Sequence, residues 1–318
     1  MYKNKVVLVA GFGTIAIPLV KELLRREATV KVVSIEKEDD IRKKYDGEFE
    51  YMRLDLTDKN NCLKAVKNKN YVFNLVGIKG SVGLGQTKVA SFLIPMLRFQ
   101  TNLMEASFEM GVERFLFVGS VCSYPQADIH YEENMWNGMP KQNDRIPGIG
   151  KRVGELLGEA FQLEYGWDAV RVVRPANVYG PFDDFNPKTA QVIPSLISRT
   201  LRGENPLSVW GDGSVIRDFI FSDDVAYWMC EALEKAPPNF PINLGSGEGI
   251  SIKNLAEIIV KKTDSKVKIN WDITKPSGDP CRLLSLERAE KFLDFNEITP
   301  LEEGITHTIN WYKSKFPK

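Results

Sequence analysis

Histidine is nearly absent: His130 and His307 are the only two among 318 residues. Any mechanism that needs several histidines, such as a two-histidine metal site with a histidine base, therefore starts at a disadvantage. Cysteine is scarce as well. Cys62, Cys122, Cys230 and Cys281 contain no Cys-x-x-Cys pair, which argues against zinc and against a disulfide framework; no metal is expected, and a reducing compartment fits. Neither sign of charge is in excess, with Lys plus Arg at 42 and Asp plus Glu at 42. Nothing there announces a nucleic-acid or acidic-membrane partner. Long apolar runs are missing too: the run Val6–Ala10 near the start is too short for a signal peptide or a membrane span. A soluble, cytoplasmic chain is expected.

What is present is an ordinary globular composition, 43% hydrophobic and 26% charged, on a length ample for a core. Short β-branched runs alternate with amphipathic stretches. Strands are predicted at Val6–Val9, Val30–Ile35, Tyr51–Leu54, Tyr71–Leu75, Phe115–Val118 and Val170–Val173, with helices such as Ile17–Arg26 and Val153–Tyr165 between them. This order implies an α/β fold, a doubly wound parallel sheet of Rossmann type with helices on both faces. From about Pro181 the rhythm breaks into Pro and Gly punctuation, and the chain closes on an amphipathic helix over Pro300–Lys313. The expected division is 1–180 for a dinucleotide-binding domain and 181–318 for a smaller C-terminal α/β substrate-binding lobe, with some chain crossing between them.

The first strand leads into Gly11-Phe12-Gly13-Thr14-Ile15-Ala16. A G-x-G-x-x-A turn opening a helix supplies a tight bend, close backbone approach to a pyrophosphate and close helix–strand packing. The helix N-terminus adds free N–H groups and the positive end of a dipole. A glycine turn without a ligand is the competing reading of such a motif taken alone. After the second strand, Ser34 stands where an acidic residue often sits and Glu36 follows two residues later. A carboxylate there accepts bonds from the adenine-ribose hydroxyls and repels a 2′-phosphate, which points to NAD; a solvated acidic turn is the alternative. Asp55 is expected near the adenine.

Gly119-Ser120-Val121-Cys122-Ser123-Tyr124-Pro125, Lys151 in Gly-Lys-Arg-Val-Gly-Glu, and Arg174-Pro-Ala-Asn-Val-Tyr-Gly-Pro181 resemble an extended short-chain dehydrogenase/reductase. The likeness continues through Val209-Trp-Gly-Asp-Gly213, Arg217-Asp-Phe219 and Asn243-Leu-Gly-Ser-Gly247, and its nearest pattern is the GDP-fucose synthase branch. The resemblance implies hydride exchange between a nicotinamide and a sugar carbon, with a Ser on the reacting oxygen, a Tyr in Tyr-x-x-x-Lys exchanging its proton and the Lys holding the ribose. Ser120 and Lys151 match. The Tyr position is Pro147, which has no ionisable group. Proton-handling candidates are Lys151, Cys122, Tyr124 or a water held by Ser120, although Cys122 and Tyr124 also read as strand-end packing. The resemblance further implies cofactor contacts at Ile15, Leu56, Val76 and Pro175. On the substrate it implies Asn177, Val192, Trp210 and the diphosphate-gripping Arg199, Arg217 and Arg282.

Relatives that dehydrate carry an Asp-Glu pair where this chain has Val121 and Cys122, and those that epimerise at C3 and C5 use a Cys, kept here as Cys122, and a His, where this chain has Gln191. What survives is NAD-dependent oxidation of a GDP-sugar at C4. The Lys79–Gly83 loop and the Asn143–Lys151 segment are similar to GDP-D-glycero-α-D-manno-heptose 4-dehydrogenases of capsule biosynthesis. Two other readings stay open: a non-catalytic dinucleotide or sugar-nucleotide binder, and a retained-hydride C4 epimerase. Chains of this kind pair through the helices flanking the fourth and fifth strands, so a homo-oligomer, dimer or tetramer, is implied.

Overall fold

A computed structural model describes residues 1–78, 89–187, 189–275 and 278–317. The Lys79–Gly83 segment named above lies outside them. The first half alternates strictly: β1 (Val6–Ala10), α1 (Ala16–Arg25), β2 (Thr29–Ser34), α2 (Glu38–Lys44), β3 (Glu50–Arg53), α3 (Lys59–Val66), β4 (Tyr71–Asn74), α4 (Val89–Glu109) and β5 (Arg114–Val118). Then come β6 (Ile129–His130), α5 (Arg145–Tyr165), β7 (Val170–Pro175), β8 (Asn177–Tyr179), α6 (Val192–Leu201), β9 (Leu207–Trp210) and β10 (Ile216–Phe221). The chain ends with α7 (Ser222–Lys235), β11 (Ile242–Leu244), β12 (Gly249–Ser251), α8 (Ile252–Lys262), β13 (Ile269–Asp272), β14 (Cys281–Leu284), α9 (Glu287–Leu293) and α10 (Leu301–Lys315).

The large sheet runs β11-β7-β5-β4-β1-β2-β3 with every pairing parallel. It is a doubly wound sheet whose order reverses between β1 and β4, and ligands of such sheets bind beyond the strand carboxyl ends at that reversal. Both faces are covered, which is why the strands read as continuous apolar runs. On β1, Val7 and Val9 pack into one core with α1 and α7, while Leu8 and Ala10 pack into the opposite core with α3 and α4. A third core, around Ile193, Leu207, Phe219 and Ile305, holds the second lobe together.

That lobe is built on a sheet of order β12-β10-β14-β6, with β8 joined to β10, and a separate pair β13-β9. The chain crosses between the two bodies in both directions. Residues of α7 and β11, beyond position 181, return to the large sheet, whereas β6 leaves the first body to join the second.

Helix α5 begins eight residues before the start expected at Val153. Pro147 lies in its first turn, where a missing backbone N–H removes no intrahelical bond, so the proline is accommodated rather than terminating the helix. Small residues then set its distance from its neighbours. A Cβ at Gly150 would overlap Met96 of α4 and one at Gly154 would overlap Phe117 of β5. This close approach lays α5 against β5 and carries Lys151 to the end of that strand.

Candidate functional site

A cleft of about 690 Å³ opens at the carboxyl ends of β1, β2 and β4. Its floor is the Gly11–Ala16 turn; its walls are Ser34 to Glu36, Leu54 to Thr57, Asn74 to Ile78 and, from the helices, Arg98 and Lys151. Gly11 has φ +97°, and a Cβ there would sit 2.8 Å from the Leu75 carbonyl oxygen, so the bend at the switch point admits only glycine. No acidic residue occupies the first turn of α1. That helix start therefore carries no carboxylate of its own against a pyrophosphate at its N-terminus. A cleft of this volume, with a glycine turn as its floor and Glu36 and Lys151 on its walls, fits a nicotinamide dinucleotide.

The structure brings Gly11, Gly13, Thr14, Ile15, Glu36, Asp55, Leu56, Val76 and Lys151 together on this one cleft. Thr14 Oγ1 donates to Asp183 Oδ1 at 3.1 Å, tying the turn to the segment that follows β8. Glu36 is ion-paired with Lys44 at the end of α2. Asp55 Oδ1 accepts from the backbone N–H and the hydroxyl of Thr57, at 2.9 and 2.8 Å. Pro175 does not line the cleft: as the last residue of β7 it pairs with Leu244 of β11 and is buried there.

Lys151 reaches the end of β5, and Ser120 begins the turn that follows that strand. Lys151 Nζ donates to the Val118 carbonyl at 2.8 Å and lies 5.3 Å from the Phe117 ring centroid. The residue is partly exposed along the cleft while its ammonium end is enclosed, and this burial pulls its pKa down to about 8 against the opposing pull of Glu155. Ser120 Oγ accepts from the Cys122 N–H at 3.1 Å, capping a short 3₁₀ turn over Val121–Ser123. Cys122 hydrogen-bonds Ser120 and the Asp144 carboxylate; burial and the Asp144 charge push its thiol up to about 11.

Tyr124, named above among the proton-handling candidates, is placed elsewhere. Its hydroxyl donates to Asn243 Oδ1 at 2.6 Å and accepts from Arg174 Nη1 at 2.7 Å, and its ring stacks on His130. Burial raises its pKa despite Arg174, so the phenol is a structural tie between β7, β11 and the loop before β6. His130 is itself buried, and His307 is exposed on α10 beside Glu303. Gln191 stands just ahead of α6 and is exposed.

The three arginines assigned to a diphosphate separate. Arg217 and Arg282 face each other across the parallel β10–β14 pair. Arg282 Nη2 reaches Asp144 Oδ2 at 2.6 Å and Asp279 Oδ2 at 2.5 Å, and Arg217 Nη1 donates to the Asp279 carbonyl at 2.7 Å. Lys141 also pairs with Asp279. Arg282 thereby joins the second lobe to the N-terminus of α5, next to Cys122. Arg199 instead pairs with Glu204 and donates to the Ser208 carbonyl within the α6–β9 connection. Its guanidinium, already carrying a carboxylate partner, holds that turn. Trp210 is 63% exposed with Lys275 5.9 Å from its ring, Val192 opens α6, and Asn177 Nδ2 donates to the Asp218 carbonyl at 2.8 Å.

Sequence reasoning missed Arg98, Asp144, Asp183 and Glu155. Glu155 follows Lys151 by four residues, the spacing at which side chains meet on a helix, but only the earlier start of α5 puts both on it.

Comparison with known proteins agrees with this geometry. The GDP-L-fucose synthase of Sinorhizobium fredii is 33% identical over 270 residues, covering 82% of this chain and 85% of that protein. GDP-L-fucose synthase 1 of Arabidopsis thaliana is 28% identical over 317 residues, covering 98% and 94%. Among solved structures, a UDP-glucose 4-epimerase from Thermotoga maritima superposes with a TM-score of 0.86 at 26% identity, covering 98% of this chain and 99% of that one. Residues 7–245 match the NAD dependent epimerase/dehydratase family. With its doubly wound sheet and glycine turn, the chain belongs to that family of enzymes acting on nucleotide sugars.

Proposed function

We propose that the protein oxidises a GDP-sugar at C4 to a 4-keto sugar nucleotide, with NAD as the hydride acceptor. The favoured substrate is GDP-D-glycero-α-D-manno-heptose, and the product feeds capsular polysaccharide synthesis. One observation carries the reading. Ser120 follows β5 and Lys151 Nζ is bound to the carbonyl of its last residue, Val118, so both positions that match the hydride-exchange motif are kept, while Val121 and Cys122 stand where dehydrating relatives have Asp-Glu and Gln191 stands where epimerising relatives have their His.

A nicotinamide dinucleotide bound in the cleft supplies the hydride acceptor. The Gly11–Ala16 turn holds its pyrophosphate, Glu36 its adenine ribose, and Lys151 its nicotinamide ribose. The Glu36 carboxylate favours NAD over NADP because it repels a 2′-phosphate. Ser120 Oγ holds the C4 oxygen. Arg217 and Arg282 take the substrate diphosphate, whose oxygens suit guanidinium forks and compete with Asp144 and Asp279 for them. The heptose and guanosine assignments draw on the Asn143–Lys151 likeness and on the GDP-L-fucose synthase relatives.

The test is incubation of purified protein with GDP-heptose and NAD, with an oxidant added to recycle NADH, and detection of the 4-keto sugar by NMR. No ketone, even with stoichiometric protein, refutes the reading. A retained-hydride C4 epimerase is the second reading, favoured by the superposition on a 4-epimerase; it predicts a C4 stereoisomer without net NADH.

We also propose a homo-oligomer paired through α4 and α5, whose outer faces leave Ile94, Val153 and Leu156 40 to 51% exposed. A monomeric mass in light scattering counts against this. A cytoplasmic location fits the four unpaired cysteines, and among the described residues no helix is long and apolar enough to cross a membrane.

A further inference from the structure

We propose that Lys151, as the neutral amine, accepts the hydroxyl proton of the alcohol being oxidised, in place of the phenol that Pro147 removes. This rests on the oxidation proposed above.

Three placements converge on it. Pro147 lies one helical turn before Lys151 on the same face of α5, so the position that would carry the phenol offers Nζ neither a proton acceptor nor a charge. The amine is held by the Val118 carbonyl and the Phe117 ring at the end of β5, where it lines the cleft that takes the dinucleotide, and Ser120 follows two residues after Val118. The carboxylate best placed to neutralise it, Glu155 one turn further along α5, is gripped by Arg174 of β7: Nε to Oε1 at 3.0 Å and Nη2 to Oε2 at 2.6 Å. Of the other charged groups lining the cleft, Arg98 comes from α4, and Glu36 and Asp55 follow β2 and β3 on the adenosine side. A desolvated lysine whose partner carboxylate is held by an arginine is the arrangement that yields a base near neutral pH, in keeping with its pKa of about 8.

The step balances as follows. The C4–H bond breaks and its electron pair leaves with hydrogen to the oxidised nicotinamide of the proposed reaction, so the alcohol is oxidised and the nicotinamide reduced. The O–H bond breaks, an N–H bond forms at Nζ, and the C4 oxygen keeps its electrons as the carbonyl π bond. Solvent then takes the extra proton from the ammonium.

The decisive variant is Lys151→Arg, which keeps donors for the ribose and the Val118 carbonyl but stays protonated. The expected result is a fall in kcat of about 10² to 10⁴ with NADH affinity, read by fluorescence, within about fivefold of wild type. A kcat within tenfold of wild type overturns the proposal. Should arginine also weaken dinucleotide binding, Lys151→Ala with added primary amines decides. Rescue that grows with amine basicity is expected, and its absence at saturating dinucleotide overturns the proposal. A readout independent of turnover is the titration of lysines labelled by [¹³C]methylation. The resonance missing from the arginine variant should titrate near 8; titration only above 10 overturns the proposal. Wild-type protein that oxidises no GDP-sugar sinks the function proposed above, whereas oxidation that survives in Lys151→Arg sinks this inference alone.

Discussion

Arg174 holds Glu155 by two parallel bonds, Nη2 to Oε2 at 2.6 Å and Nε to Oε1 at 3.0 Å, with both side chains buried beneath the loop that bears Ser120. Gly119 makes room for the pair, since a Cβ there would lie 2.7 Å from Glu155 Oε1. One ion pair thus fastens α5, β7 and the backbone immediately before Ser120, and Glu155 is the same carboxylate whose charge reaches Lys151.

Replacing Glu155 with Gln should separate those two effects. Without the carboxylate, the charge that raises the Lys151 pKa is gone, so the pKa moves below about 8 and the acid limb of the kcat profile shifts to lower pH. The buried Arg174, left without its partner, should lower stability by about 3–5 kcal/mol. Denaturant unfolding together with a pH–rate profile checks both; an unshifted acid limb contradicts the coupling.

Cys122 should behave as an inert thiol. With its pKa pushed up to about 11, little thiolate exists at pH 7, so alkylation by iodoacetamide should be slow. Asp144→Asn removes one of the charges that raises it and should speed alkylation, as read by mass spectrometry of the Cys122 peptide. Equal rates in the two proteins would show that the Asp144 contact does not govern the thiol.

Acid sensitivity should trace in part to His130. Its folded pKa is pulled down to about 4 by burial and by Arg282, below the ordinary value of 6.5. The unfolded chain therefore binds the proton first as pH falls. The stability linked to this group is complete above about 6.5 and is lost as pH drops toward 4, by at most about 3 kcal/mol. His130→Asn should flatten the stability curve between those limits, measured by urea unfolding at a series of pH values. An unchanged slope would remove His130 from the account.

Glu36 should set the cofactor preference. Wild-type protein is expected to bind NADH at least about tenfold more tightly than NADPH, a difference near 1.4 kcal/mol. Glu36→Ala should narrow the gap and leave Lys44 free to meet a 2′-phosphate. Fluorescence titration with both dinucleotides decides, and equal wild-type affinities refute the assignment.

Arg282→Ala should raise KM for the GDP-sugar by about tenfold or more while leaving dinucleotide affinity unchanged, because a charge-assisted bond of about 1.5–3 kcal/mol to the diphosphate is lost, and it should also lower stability by leaving Asp144 and Asp279 without this partner. Arg199→Ala, which breaks the pair with Glu204, should leave KM close to wild type and act on stability. A reversed pattern in steady-state kinetics would restore the grouping of three arginines expected from the motifs.

The six strands expected in the first 175 residues all form, within a residue or two of their expected ends, because each is a short apolar or aromatic run between turn signals that carries its signal locally; the edge strand β3 is the least buried of them. The glycine turn and the cleft side chains near it were legible for the same reason: they lie within a few residues of those strand ends. The start of α5 was not, since a proline and four glycines weaken the helical pattern over Arg145–Gly158. Only packing against Met96 and Phe117 makes those glycines an advantage.

By itself the sequence determined the doubly wound sheet and the glycine turn, since each is written in one contiguous stretch, and its likeness to the family implied that Pro147, Gln191 and Val121-Cys122 stand where relatives carry the Tyr, the His and the Asp-Glu pair. Tertiary structure decided which charges meet. Arg282 finds Asp144 across 138 positions, Arg174 takes Glu155 from Lys151, and Arg199 turns to Glu204, away from the partners its motif suggested. A guanidinium's role depends on which carboxylate lies within about 3 Å of it, and that distance is set only when separate strands and helices are brought together.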